Sequence, residues 1–257
     1  MFRLFSLIFA LVSGLPQVGS AETIRAVTSD FLSPLSIGPE REDPGFNVEL
    51  MQAIAQRAGL DLEIEWMPWK RAQAVVAQKP GLLLFGATRT AAREERYEWV
   101  TPLITAERVF ITAGDQINDF EGARGLGLIA ARSIYRETLL KMGFPNVEEG
   151  HSHSNYQKLK SGRVDAIFTI SVRARYIWEK ELGFADDAFT VGRSVSSSDV
   201  WLAASKGYDR ETARRLHEAS LQIRSDGTFE KLHEKYFGNL PVVELARPDQ
   251  VPTTLAD

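Results

Sequence analysis

The sequence predicts an α/β fold of open sheets in two successive halves, and three observations carry that prediction. Short apolar strands alternate with helical patterns along most of the chain. The alternation runs once to about residue 112 and restarts near residue 126. Polar segments follow apolar strands in both halves, at the strand ends where open α/β sheets bind ligands.

The elements follow in order. Residues 24–28 read as a first strand. Phe46, Leu50, Ile54 and Ala58 recur every four residues, one face of an amphipathic helix that Gly59 closes. Leu62, Ile64 and Trp66 alternate with Glu63 and Glu65, as a strand with one wet face requires. Residues 71–78 read as a helix, and 82–85 as a wholly apolar strand of the buried, parallel kind. One or two helical turns over 91–96 precede a strand over 109–112. The second round predicts a strand over 126–130, a helix over 133–142 closed by Gly143, and a helix over 155–160. A strand over 165–169, a helix over 172–182 and a strand over 200–204 complete it. Helices over 210–224 and 228–236 close the fold, and the proline-bearing tail after Gly238 reads as extended.

Composition excludes several classes. The 257 residues carry 44% apolar and 25% charged side chains, ordinary for a globular protein. A net charge of −4 argues against a broad nucleic-acid surface. With no cysteine there can be no disulfide, thiolate metal site, cysteine nucleophile or lipid on a cysteine. Arg3, the apolar run 4–15 and the small residues Gly19-Ser20-Ala21 read as a cleavable signal peptide over residues 1–21. The alternative, a membrane anchor, needs roughly 20 apolar residues, and this run is shorter. Removing residues 1–21 leaves a formal charge of −5 and predicts a freely soluble periplasmic protein.

The segment GATRTAARE, residues 86–94, presents two threonines and two arginines straight after a buried-looking strand. AARSIY, residues 130–135, occupies the matching place in the second half. Two such loops can face each other across a cleft.

Six segments, in order, resemble the periplasmic solute-binding proteins of polar-amino-acid ABC transporters, family 3. They are GFNVELMQAIAQRAGL (45–60), EWMPWKRA (65–72), GATRTAAREERYEWVTPL (86–103), DFEGARGLGLIAARSIYRETL (119–139), LKSGRVDAIFTI (159–170) and SDGTFEKLHEKYFG (225–238). The resemblance covers roughly residues 24–240. It implies a type II periplasmic binding protein fold, two open mixed sheets joined by two hinge strands. Lobe one would span 22–112 and 203–257, and lobe two 113–202, with the ligand between them.

The resemblance also supplies candidate ligand-binding residues. Arg93 aligns with the family arginine that holds a ligand carboxylate, a role its planar fork of donors suits. As an isolated residue it reads equally as a surface arginine paired with Glu94 or Glu95. Thr88 aligns with a carboxylate-binding hydroxyl, or is a turn threonine; Gly86 lets backbone approach the ligand. Thr90 reads as a helix cap. Arg89 and Arg71 each point into the cleft or lie on the surface, the surface being favoured for Arg89. Trp69 and Phe31 are candidate cleft walls or core residues.

In the second half, Arg132 and Ser133 align with lobe-two ligand contacts. Ser133 is otherwise a plain N-cap, and Arg132 is larger than the hydroxyl residue usual there, which suits an acidic ligand. Ile170 stands where amino-acid binders carry an aspartate for the ligand ammonium. Either Asp199 substitutes for that aspartate, or the ligand lacks the ammonium; Asp199 reads otherwise as a solvated loop residue. His151 and His153 read as loop residues, and His217 and His233 as exposed. No cofactor and no metal site are expected.

The leading expectation is a non-catalytic receptor for a small anionic or zwitterionic, carboxylate-bearing solute. It would work with ABC permease subunits as a hinged monomer. A secreted enzyme of the cyclohexadienyl dehydratase kind on the same fold is the second class, and a solute-sensing partner of a signalling system the third.

Overall fold

Alternating burial defines the first sheet strands. In the computed structural model, β1 (Glu22–Thr28) and β2 (Leu60–Trp66) pair in parallel, with Ile24 and Ala26 turned into the core. The structure describes residues 21–240 apart from Phe31, Asp186 and Asp187, together with Val242, Val243 and Leu245. The expected signal peptide, save Ala21, Phe31 and most of the tail after Leu240 lie outside these residues.

Between β1 and β2 runs α1 (Phe46–Arg57), whose inner face buries Phe46, Leu50, Met51 and Ile54. Then come α2 (Trp69–Gln78), β3 (Leu82–Thr88), a 3-10 turn (Ala91–Arg96) and β4 (Glu98–Thr112). The second half holds α3 (Phe120–Ala123), β5 (Ile129–Ala131), α4 (Ser133–Lys141), β6 (Val147–Glu149) and α5 (Ser152–Lys160). It continues through β7 (Ala166–Ile170), α6 (Ser171–Arg175), a π-helical turn (Tyr176–Glu181) and β8 (Thr190–Val191). The chain returns along β9 (Ser196–Ala204) and closes with α7 (Arg210–Ser225) and α8 (Thr228–Phe237).

The strands form one hydrogen-bonded path, β2-β1-β3-β9-β4-β7-β5-β6, with β8 on β4. The two expected sheets are therefore continuous. β4 pairs antiparallel with β9 from Glu98 to Arg108, and with β7 from Arg108 to Thr112. This strand is far longer than the expected 109–112. Register shifts between Trp99 and Thr101 and between Pro102 and Ile104 let a proline sit within it. β9 likewise starts at Ser196 rather than at Val200, its serines held by pairing with Thr105–Arg108. β3, expected to be purely parallel, is parallel to β1 and antiparallel to β9.

Two further expectations are corrected. The helix over 172–182 is α6 followed by the π turn, and the wider turn brings consecutive Ile177 and Trp178 into one core. His233 is not exposed: it is 5% accessible, and its ring lies 4.9 Å from that of Phe237 and 6.2 Å from that of Phe229. Phe229, His233 and Phe237 are spaced four apart on α8 and share its inner face, which packs on Phe46. His217 is half-buried, with Nδ1 3.2 Å from the Thr101 hydroxyl. His151 and His153 stand at the head of α5, not in a loop.

Candidate functional site

At the end of β3 the strand leaves the core through a bulge. The register against β9 shifts between Phe85 and Ala87, so Gly86 is the extra residue. Its φ of +90° favours glycine, and a Cβ there would lie 3.6 Å from the Asn47 amide nitrogen. Thr88 follows half-buried.

Arg93 belongs to the 3-10 turn, and its Nη1 donates to the Thr88 carbonyl at 3.0 Å. One backbone bond thus ties the arginine to the threonine before it. Burial lowers the Arg93 pKa, yet nothing deprotonates an arginine near neutral pH. Thr90 sits at the cap position, where its carbonyl accepts from the Arg93 amide at 2.8 Å; its side chain makes no capping bond.

Arg89 takes neither expected place. Its side chain is 10% exposed and stacks 4.7 Å from the Trp201 ring and 5.5 Å from the Trp99 ring. Its Nε and Nη2 donate to the two Glu94 carboxylate oxygens at 2.7 and 3.2 Å. The guanidinium is a structural clamp below the turn, because two indole faces cover what a surface arginine would leave wet. It also engages Glu94, one of the two acids that an unliganded Arg93 was expected to pair with. Arg71 is exposed.

A cavity of about 210 Å³ lies beside this turn. From the first half it is lined by Trp69, Lys70, Gln73, Gly86, Thr88 and Arg93. Trp69 opens α2 after Pro68 and also packs on the Met67, Ala72 and Val76 cluster, so it serves as wall and core at once. Leu32, Leu35, Ala106 and Val200 add apolar surface.

The second half contributes Arg132, Tyr135, Ile170 and Arg173. Arg132 stands between β5 and α4, and its carbonyl accepts from the amides of Tyr135 and Arg136. Ser133 opens α4, and its side chain is outside the described ones. Ile170 ends β7 and faces the cavity as an apolar group. Arg173, 3% exposed, projects from α6. Burial, and after it the neighbouring Arg132 guanidinium, push its pKa down to about 10.

Asp199 is not among the residues lining this cavity. It lies within β9, opposite Thr105 on β4, 5% exposed, and accepts the Thr105 hydroxyl at 2.7 Å. Its carboxylate ties the two long strands together where a solvated loop or a ligand contact was expected.

Lys70, Gln73, Tyr135 and Arg173 were not singled out from sequence. Arg173 had a readable signal: it follows the C-terminal end of β7, the same topological place as the other two loops. Lys70 and Gln73 had none, since one charged and one amide residue on an amphipathic helix look like solvent-facing positions.

A second cavity, about 820 Å³, shares Arg132 and Arg173 with the first. Arg41, Lys180, His151 and His153 also line it, and its single carboxylate, Glu181, lies 2.7 Å from His153 Nε2. Among the described residues no three histidine or acidic side chains cluster closely enough for a metal ion. No described helix is long and apolar enough to cross a membrane.

Known proteins resemble the whole of this architecture. The chain is 25% identical over 211 residues to the L-cystine-binding protein TcyJ of Escherichia coli K12, covering 78% of this chain and 77% of that protein. It is 23% identical over 231 residues to the arginine-binding extracellular protein ArtP of Bacillus subtilis, covering 86% and 88%. A crystal structure of a histidine kinase sensor domain with similarity to periplasmic binding proteins superposes with a TM-score of 0.73 at 21% identity, covering 87% of this chain and 98% of that one. That likeness supports the two-lobed type II binding-protein fold. Residues 24–239 match the family model as a whole, and the chain belongs to the bacterial extracellular solute-binding proteins, family 3.

Proposed function

We propose that this solute-binding protein captures a small anionic solute bearing a carboxylate. The observation that carries the reading is the charge of the cavity: Lys70, Arg93, Arg132 and Arg173 line it, and no aspartate or glutamate does among the described residues. Arg93 and Thr88 would hold the carboxylate, with Gly86 allowing close approach and Trp69 forming a wall.

The printed names of two relatives point to arginine and cystine as ligands there. A cationic side chain fits this cavity poorly. Two like charges 4 Å apart repel by about 4 kcal/mol at the effective dielectric of a protein surface. Ile170 offers an ammonium nothing, and Asp199 is engaged by Thr105. The cavity therefore favours an anion, or a zwitterion whose ammonium points to water.

The rest of the reading follows from the family. The lobes, 22–112 with 203–257 and 113–202, would close about β4 and β9, which run through both halves of the sheet. The protein would act in the periplasm as a monomer that delivers solute to ABC permease subunits. It would not be an enzyme: the cavity holds no carboxylate or imidazole among the described residues to serve as the acid or base of a dehydratase.

A thermal-shift screen tests this. Acidic amino acids and carboxylates should raise the melting temperature, with L-arginine and L-lysine inert. At 100 times its Kd a ligand adds about 2.7 kcal/mol. Arg93→Ala should abolish the shift and leave the unliganded melting temperature nearly intact. A shift by L-arginine alone, or an undiminished response of Arg93→Ala, would sink the reading.

A further inference from the structure

The two cavities meet at the same pair of guanidiniums. Arg132 and Arg173 line both the smaller cavity, which contains Arg93, and the larger one, which contains Arg41 and Lys180. Like charges are not brought together in a buried place without cost. Arg173 is 3% exposed, and Arg132 acts on it as the strongest nearby charge, unfavourably. The acid acting on it from the π turn is Glu181, the weakest of its influences, and Glu181 is hydrogen-bonded to His153. Tyr156, on α5, donates its hydroxyl to the Arg173 carbonyl, which helps fix the backbone that carries the guanidinium. The second half thus presents a rigid, doubly cationic wall to the same space that Arg93 enters from the first half. One carboxylate on Arg93 leaves that wall uncompensated.

We propose that the ligand carries two separate anionic groups, the first held by Arg93 and Thr88, and the second by Arg132 and Arg173. This rests on the anionic reading above and narrows it. A single-charge carboxylate would satisfy only one side of the cleft. A dianion bridges the two halves, so that each anionic group contributes to closing them. The second group is a carboxylate or a phosphate, since bidentate guanidinium binding serves both.

The experiment uses the full mature chain and matched ligands, with affinity read by calorimetry and by thermal shift. The dianions are succinate, glutarate, L-glutamate and phosphoglycolate; the single-charge controls are propanoate, butanoate and L-glutamine. At least one dianion should bind at least tenfold more tightly than the control of its own length. Arg132→Gln should reduce that dianion's affinity at least tenfold and leave the control's unchanged. Arg173→Gln should do the same if it folds, and Arg132→Gln decides the matter if it does not. The dicarboxylate and phosphoglycolate arms tell which second group is preferred. Equal binding of dianions and controls, or an equal loss of both in Arg132→Gln, overturns the two-anion assignment while the anionic reading survives. If none of these anions binds, both fall together.

Discussion

The two rims of the cleft present the same kind of side chain by opposite means. On the first-half rim, Arg93 is half-buried on a short 3-10 turn and is positioned by backbone, through its bond to the Thr88 carbonyl. On the second-half rim, Arg173 is sunk in the protein and positioned by packing, with Arg132 beside it. A backbone-set rim leaves a motif in the sequence, because glycine, threonine and arginine must stand at fixed offsets. A packing-set rim leaves almost none, because its arginine lies on an ordinary-looking helix and is defined only by what surrounds it. The difference also sorts the expected consequences of mutation.

The first rim should break most easily at Gly86. Its φ of +90° holds the bulge, and an added Cβ meets nothing closer than the Asn47 amide at 3.6 Å. The cost of Gly86→Ala is therefore backbone strain rather than a clash, about 1–3 kcal/mol. It should also displace Thr88 and Arg93, so ligand affinity falls with stability. Chemical denaturation combined with calorimetry measures both. Full affinity in a destabilised Gly86→Ala would mean that the bulge does not position the rim.

A smaller effect is expected from Arg89. Truncation to alanine removes stacking on Trp201 and Trp99 and the paired bonds to Glu94. The loss should be about 1–2 kcal/mol of stability. Ligand affinity should change much less than in Arg93→Ala, four positions along the same motif. Equal affinity losses for the two would place Arg89 in the site after all.

Those two arginines show where sequence was sufficient. The strand-helix alternation, the restart after residue 112 and the polar turns at strand ends all follow from local patterns, and the structure contains both halves. Arg93, Thr88, Gly86, Trp69 and Arg132 lie around one cavity, as their segments suggested. Long-range pairing was not legible. Glu98–Thr112 reads as irregular because Pro102 interrupts it, and only β9 on one side and β7 on the other make it a strand. Ser196–Asp199 has weak strand character, and its partner is some ninety residues earlier, at Thr105–Arg108. Asp199 was misplaced for that reason: its surroundings are set by a strand that the local sequence does not mention. Arg89 needed Trp201, from the far end of the chain, to be understood.

The halves should also differ in their response to acid, which is the mildest test of the contrast. His233 and His217 both belong to the first half, packed beneath α1 and against β4, while His151 and His153 are exposed at the head of α5. Burial lowers the pKa of His233 and of His217 below the ordinary value of 6.5, with nearby Glu230 and Glu218 respectively opposing it. Above pH 6.5 the two histidines are neutral folded or unfolded and contribute no pH dependence. As pH falls below 6.5 the unfolded chain takes up protons first, so stability declines until the folded-state values are passed. Hydrogen exchange at pH 5.5 against pH 7.5 should show the loosening in α1, α7 and α8 before α4 and α5. His233→Phe keeps an aromatic ring beside Phe46, Phe229 and Phe237 and cannot be protonated. Its melting temperature should fall less between those pH values than that of the unmodified protein, with the remaining slope due to His217 and the carboxylates. An identical fall in both would show that His233 stays neutral or charged alike in the two states, and the acid-sensitive step would then belong to groups outside the α8 cluster.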